Sequence, residues 1–109
     1  MVLKELCALR GVSGDEQRVR EFIRERVEKF ATKVTVDRMG NLYAFKQGTG
    51  ENRKHIVLAA HMDEVGMIVK GINDNGLITY RTVGGIDPRV VVSKAVRIGD
   101  DEVPGVIGA

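Results

Sequence analysis

The chain has 109 residues, of which 43% are hydrophobic and 29% charged, and its formal net charge is +2. The apolar fraction is typical of a globular domain, and no stretch approaches the roughly 18 consecutive apolar residues that a membrane span requires. So small a net charge also argues against nucleic-acid binding, which usually needs a strongly basic surface. We therefore expect a globular protein with neither a membrane anchor nor a nucleic-acid partner.

Cysteine usage and the first residues predict the compartment. Cys7 is the single cysteine of the sequence, which excludes an intramolecular disulfide. Residues 1–5 have neither the basic lead nor the sustained apolar core of a signal peptide. Both features indicate a reducing, cytoplasmic location. Because Cys7 falls on the apolar face of a predicted helix, we expect its thiol to be buried and inert.

Two helices are predicted in the first thirty residues. The first covers residues 2–10 and stops at Gly11. The second begins at a capping-box pattern, in which Ser13 and Glu16 satisfy each other's backbone donors, and continues to about Phe30 along one apolar stripe. Acids and bases alternate on its other face, which predicts a solvated, self-neutralised surface rather than a nucleic-acid or membrane helix.

After the second helix the hydrophobic period changes from 3.6 to 2. Short alternating segments at 34–36 and 42–45 flank a polar turn at 37–41, which predicts a β-hairpin. The continuous apolar run at 56–60 predicts a strand that is buried on both faces, as in an α/β sheet.

From residue 65 onward the pattern is that of short antiparallel strands and turns. Asn75-Gly76 marks a tight hairpin, because both residue types tolerate positive φ. This change of character predicts a domain boundary, with one domain at 1–64 and a second at 65–109. Four strands are predicted in the second domain: 65–72, 77–83, 89–98 and 103–107.

His61 and Asp63, directly after the apolar run, are the candidate site residues. In an open α/β sheet, ligands gather outside the carboxyl ends of the strands. A neutral imidazole is a common metal ligand, and its other N–H is normally donated to a carboxylate, a role that suits Asp63. On residue spacing alone, the alternative that His61 is a plain polar residue at a strand end stays open. His55, at the other end of the run, is expected to begin the strand and to bind nothing.

Four motifs follow one another in a characteristic order. The motifs are Gly-Val-Ser-Gly at 11–14, Asp-Arg-Met-Gly-Asn-Leu at 37–42, Ala-Ala-His-Met-Asp-Glu-Val-Gly at 59–66 and Val-Gly-Gly-Ile-Asp-Pro-Arg at 83–89. Together they resemble the start of the tetrahedral (TET) aminopeptidases, which are dinuclear-metal exopeptidases of the glutamyl and deblocking type, with some relatives labelled endoglucanase. The resemblance covers nearly the whole chain.

The resemblance implies a fold and a chemistry. Residues 1–64 would be the N-terminal part of a zinc-peptidase-like α/β domain, and residues 65–109 the truncated start of a β-rich inserted dimerisation domain. His61 corresponds to the first metal ligand and Asp63 to the catalytic carboxylate that supports it. In the family two divalent ions, zinc or cobalt, activate a water that attacks the N-terminal bond of a peptide substrate. A homo-oligomer, a dimer building to a dodecamer, is also implied.

The family's other metal ligands and its general base lie downstream of this sequence. A catalytic zinc normally needs three protein ligands, so the chain alone is expected to be inactive and to bind metal weakly at most. The leading hypothesis is the N-terminal portion of a metal-dependent aminopeptidase, whose partner is the remaining part of the peptidase chain. One alternative is a non-catalytic oligomerisation or interaction fragment with open sheet edges. Another is a related hydrolase of the kind labelled endoglucanase, although no pair of facing carboxylates is identified.

Overall fold

The computed structural model describes residues 1–108 and forms two compact units, which meet in sequence between Glu64 and Val65. The division falls where the residue pattern changes character. None of the helices in the described part is long and apolar enough to cross a membrane. In chain order the elements are helices α1 (Val2–Leu6) and α2 (Gln17–Val27), strands β1 (Lys33–Val36), β2 (Leu42–Phe45), β3 (Gly66–Ile72) and β4 (Ile78–Val83), a 3-10 turn (Pro88–Val90), and strands β5 (Ala95–Ile98) and β6 (Val103–Val106).

In the first unit, α2 packs against the hairpin of β1 and β2. The two strands pair antiparallel, with Val34 opposite Ala44, so the hairpin prediction is confirmed. The buried side chain of α2 is Val19, and the guanidinium of Arg20 donates to the carbonyl of Gly40 in the hairpin turn at 3.3 Å. The packing of α2 against β2 and this hydrogen bond together hold the turn beside the helix.

The start of α2 differs from the predicted capping box. The helix begins at Gln17, and its N-cap Glu16 makes no side-chain capping bond. The carboxylate of Glu16 instead accepts from the backbone N–H of Gly14 at 2.7 Å. Gly14 adopts a positive φ of 92° between Ser13 and the helix, and the Ser13 hydroxyl donates to the carboxylate of Asp63 instead. The capping-box prediction for Ser13 is therefore wrong.

Two expectations of burial are also wrong. Residues 56–60 form no strand, and the side chains of Val57 and Leu58 are 85% and 94% exposed. The physical reason is that, within residues 1–108, no neighbouring strand pairs with this segment. Cys7 is exposed because α1 ends at Leu6, so its thiol lies at the helix terminus.

The second unit consists of two antiparallel hairpins. Strands β3 and β4 pair with a bulge between Val69 and Gly71, and β5 pairs with β6. Of the Asn75-Gly76 pair, Gly76 has a positive φ, 77°, whereas Asn75 does not. The turn is a longer one than predicted: the side-chain oxygen of Asn73 accepts from the N–H of Leu77 at 2.8 Å. Strands β3, β4 and β6 lie where the sequence pattern predicts them. The predicted strand at 89–98 is wrong in its first half: Pro88–Val90 form the 3-10 turn, and β5 covers only Ala95–Ile98.

The close approach at Gly11 predicts a stability effect. A Cβ added there would lie 2.7 Å from Cγ2 of the buried Val19 and 3.4 Å from the carbonyl oxygen of Met62. Because a β-branched side chain in a packed site has little freedom to move away, Gly11→Ala should lower the free energy of unfolding by about 1–3 kcal/mol. Denaturant unfolding measures this.

Gly85→Ala is the matched control, since a Cβ at Gly85 meets nothing within 4 Å. Its effect on the free energy of unfolding should stay below about 1 kcal/mol. Equal values for the two alanine variants would contradict the close packing at Gly11.

Candidate metal site

A backbone pairing joins the turn before α2 to the segment that carries the candidate site. The N–H of Glu64 donates to the carbonyl of Gly11 at 2.8 Å, and the N–H of Ser13 donates to the carbonyl of Glu64 at 3.3 Å, giving a parallel bridge between Val12 and Glu64. The N–H of Gly11 also donates to the Glu64 carboxylate at 3.3 Å. These bonds hold residues 11–13 alongside the chain just after His61.

His61 has an orientation that its hydrogen bonds determine. Its Nδ1 lies 2.9 Å from the carbonyl oxygen of Asp63 and 3.0 Å from the carboxylate Oδ1 of the same residue. Both neighbours are acceptors, so we assign the ring proton of the neutral imidazole to Nδ1. The lone pair is then on Nε2, and the side chain is 84% exposed. This is the tautomer and accessibility that a metal ligand requires.

Asp63 links His61 to the N-terminal turn. One carboxylate oxygen, Oδ1, accepts a hydrogen bond from Nδ1 of His61, while the other, Oδ2, accepts one from the hydroxyl of Ser13 at 2.5 Å. The Ser13 hydroxyl, and after it the His61 ring, hold the pKa of the Asp63 carboxyl below its ordinary value. The carboxylate is therefore ionised at neutral pH and accepts hydrogen bonds at both oxygens.

The hairpin turn between β1 and β2 forms another side of the site. Asp37 organises this turn: its Oδ1 accepts from the N–H groups of Met39 and Asn41, each at 2.9 Å. Its Oδ2 accepts from the Asn41 side chain at 2.8 Å and from the Tyr43 hydroxyl at 3.2 Å. A cavity of about 150 Å³ separates the turn from His61; its lining is Glu16, Met39, Gly40, Asn41, Ala60, His61, Met62 and Asp63.

The residues present fit one part of a metal site. His61 offers Nε2 as a ligand, and Asp63 supplies the carboxylate that commonly orients such a histidine. Among residues 1–108, no group of three or more His, Cys, Asp or Glu side chains is placed to hold a metal ion. A catalytic zinc takes three protein ligands, so a metal bound by His61 would need further ligands beyond those that the described residues offer.

The structure brings the two predicted site residues together and leaves His55 outside. His55 lies in the exposed segment before the site and lines a different cavity, beside β2. Sequence reasoning missed the part that Ser13 and Glu64 take in positioning the site. Both residues lie in motifs that carry the family resemblance, but no local pattern shows that Ser13 meets Asp63, 50 residues further along the chain, and the adjacent Glu64.

Comparison with known proteins identifies the family. Residues 40–109 match the M42 glutamyl aminopeptidase family, and the chain belongs to it. A relative from Acetivibrio thermocellus, named as a candidate aminopeptidase, is 38% identical over 108 residues, which is 99% of this chain and 31% of that protein. The chain thus spans about a third of the length of this curated relative.

Two solved structures show the same fold over nearly all of the chain. A Thermotoga maritima endoglucanase is 42% identical with a TM-score of 0.88, over 97% of this chain and 33% of that one. A TET peptidase of Pyrococcus horikoshii, which assembles into a tetrahedron or a large octahedral shell, is 39% identical with a TM-score of 0.82, over 98% and 32%. The structure thus matches the N-terminal region of these proteins, with mixed helix and strand content.

The Asp37 turn beside the site predicts a pH dependence. Hydrogen bonds, first from the Asn41 side chain and then from its backbone N–H, hold the pKa of the Asp37 carboxyl below its ordinary value. The unfolded chain therefore binds this proton more readily than the folded chain. The carboxylate stabilises the turn above the unfolded pKa of about 3.9, and this stabilisation is lost as the pH falls below that value. An NMR titration of the Asp37 carboxyl carbon should show a midpoint below about 3.9.

Asn41→Ala should move that midpoint upward, because it removes the largest cause of the depression. Asn73→Ala, which removes an equivalent side-chain bond from the turn after β3, is the control and should leave the Asp37 midpoint unchanged. An Asp37 midpoint that does not respond to Asn41→Ala would show that the turn does not form as described.

Proposed function

We propose that this chain is the N-terminal portion of a metal-dependent aminopeptidase that removes N-terminal residues from peptides. The observation that carries the proposal is the His61–Asp63 pair, in which the carboxylate and carbonyl of Asp63 hold Nδ1 and leave Nε2 for a metal. This pair lies within the part of the chain that matches the M42 glutamyl aminopeptidase family. In this proposal His61 is the metal ligand, and Asp63 is the catalytic carboxylate that supports it.

The complete site would hold two divalent ions, zinc or cobalt. Such a pair lowers the pKa of a water to near neutrality and stabilises the charge that develops on the attacking and leaving groups. The chain's own residues contribute orientation: Asp63 fixes the His61 ring, and the turn at Asp37–Asn41 closes one side of the cavity. The remaining ligands and the general base would come from residues outside this sequence.

The exposed surface supports a role as part of a larger polypeptide. A compact protein of 12.0 kDa exposes about 6,000 Å², and two separate bodies the size of the two units would expose about 7,000 Å². This chain exposes 9417 Å². The consecutive apolar side chains Ile56, Val57 and Leu58 are each more than four-fifths exposed. In the proposal, further strands and helices of the same protein cover this segment.

The second unit fits the proposed role of a dimerisation domain. Its hairpins expose apolar side chains, among them Ile68 at 58% and Ile72 at 68%. Exposed apolar faces and open sheet edges are typical of surfaces that pair with another chain. Because the similar Pyrococcus horikoshii peptidase can assemble into a tetrahedron or a large octahedral shell, we propose that the complete protein is a homo-oligomer built from dimers.

The same exposed faces also favour a second candidate, a non-catalytic interaction fragment. The two candidates differ in what His61 does: the interaction fragment has no use for an oriented imidazole. A third possibility, a glycosidase, is favoured by the similarity to the Thermotoga maritima endoglucanase. A glycosidase needs a pair of facing carboxylates. In the described part of the chain, the side chains that bond to the Asp63 carboxylate are those of Ser13 and His61, and neither is a carboxylate.

A matched pair of histidine variants tests the proposal in the complete polypeptide. His61→Ala should lower kcat/KM on amino-acid anilides by more than about 100-fold, because it removes a metal ligand rather than an outer partner. His55→Ala should leave kcat/KM unchanged, since His55 lies outside the site. Assays with added zinc or cobalt, and with a chelator that strips the metal, establish the metal requirement. A parallel assay on β-glucans tests the alternative that the protein is a glycosidase.

Activity on anilides that depends on metal and on His61 supports the proposal. Activity on glucans alone, or equal effects of the two histidine variants, overturns it. The isolated 109-residue chain should hydrolyse neither substrate; if it did, the requirement for further ligands would be wrong.

A further inference from the structure

We propose that Ser13 is a positioning residue for His61, acting through the carboxylate of Asp63. The hydrogen-bond chain runs from the Ser13 hydroxyl to Asp63 Oδ2, 2.5 Å, and from Asp63 Oδ1 to His61 Nδ1, 3.0 Å. Its effect is to keep the ring proton on Nδ1 and the lone pair on Nε2. The inference deepens the proposed function and rests on it, since the use of that lone pair is to bind the metal.

The need for such a restraint follows from the exposure of the two site residues. The His61 side chain is 84% exposed and that of Asp63 is 41% exposed, so packing does little to fix either group. A carboxylate in contact with water rotates about its terminal bond and exchanges protein partners for water. A donor on Oδ2 opposes this rotation and keeps Oδ1 directed at the imidazole. Hydrogen bonds therefore set the geometry of this site.

Ser13 is itself held in place by backbone bonds. Its N–H donates to the carbonyl of Glu64, and the neighbouring Gly11 carbonyl accepts from the N–H of Glu64, so residues 11–13 follow the site segment closely. Gly14, with a φ of 92°, then turns the chain toward α2. The serine hydroxyl is thus presented to Asp63 by main-chain geometry that a substitution of the Ser13 side chain leaves intact.

An ordinary capping role does not explain Ser13. The helix begins at Gln17, four residues further on, and its N-cap is Glu16. The bond to Asp63 spans 50 residues of sequence and connects the turn to the site rather than to the helix. One further contact limits the expected effect: the Asp63 carbonyl also accepts from Nδ1, at 2.9 Å, and remains when Ser13 is changed. We therefore expect a partial loss of metal affinity.

The experiment uses the complete polypeptide with three variants. Ser13→Ala removes the hydroxyl, Ser13→Thr retains it, and Thr35→Val removes a hydroxyl from an exposed position of β1 as the matched control. The first readout is the pair of ¹⁵N chemical shifts of the His61 ring in the metal-free protein, assigned by their loss in His61→Gln. The second is the zinc dissociation constant, measured by competition with a chelating dye. Neither readout requires activity.

Ser13→Ala should increase the population of the Nε2–H tautomer and weaken zinc binding about tenfold, at the lower end of the range for outer-shell partners. Ser13→Thr and Thr35→Val should resemble the unmodified protein in both readouts. Unchanged His61 shifts in Ser13→Ala overturn the inference, as does a loss of affinity that Ser13→Thr fails to restore. If Ser13→Ala does not fold, Ser13→Cys, which keeps the side-chain volume but donates weakly, is measured by the same criteria.

The outcomes separate this inference from the proposed function. If Ser13→Ala changes the His61 tautomer but the complete protein has no peptidase activity, the role of Ser13 is supported and the proposed function is overturned. If the complete protein is a metal-dependent peptidase but Ser13→Ala changes neither the His61 chemical shifts nor the zinc affinity, the proposed function stands and the role of Ser13 is overturned.

Discussion

The backbone pairing between residues 11–13 and Glu64 is the interaction on which the rest of the first unit's site depends. It uses main-chain donors and acceptors, so it requires the two segments to approach closely, and Gly11 makes that approach possible beside Val19. Once the segments are joined, the hydroxyl of Ser13 reaches Asp63, and Asp63 holds His61. A loop that would otherwise be unconstrained thereby becomes a site with a fixed imidazole.

The second constraint is the burial of apolar side chains, which is too small to stabilise the isolated chain well. Within the described residues, the buried apolar side chains are Val19 and Ile107, each 6% exposed. Two such side chains contribute only a few kcal/mol, which is small beside the conformational entropy of ordering a chain of this length. Hydrogen bonding accordingly carries much of the local order. Under the proposed function, the sequence that would complete the metal site would also cover the exposed apolar segment at 56–60, and stability and activity would then depend on the same residues.

The elements that could be predicted from the sequence are those that depend on residues close together in the chain. The alternation in β1 and β2 and the turn residues between them lie within about a dozen residues, and the hairpin forms as expected. His61 and Asp63 stand two residues apart, so their contact also follows from spacing. The segment at 56–60 differs because burial of a strand depends on neighbours, and no described residue pairs with it.

Ser13 shows why a correct motif can still be misinterpreted. Its spacing to Glu16 satisfies the capping-box pattern, yet a positive φ at Gly14 and a partner 50 residues away decide its actual bond. A local sequence pattern indicates only interactions between residues that are a few positions apart in the chain. Where a long-range partner competes, as at Asp63, the sequence of the turn alone does not reveal the outcome.

A crystal structure of the complete, metal-loaded protein would test the proposed role of His61 directly. We expect a divalent ion about 2.0–2.1 Å from Nε2 of His61, with Nδ1 still bonded to Asp63 and the other protein ligands contributed by residues outside this sequence. An ion bound through Nδ1, or a metal centre from which His61 is absent, would contradict it.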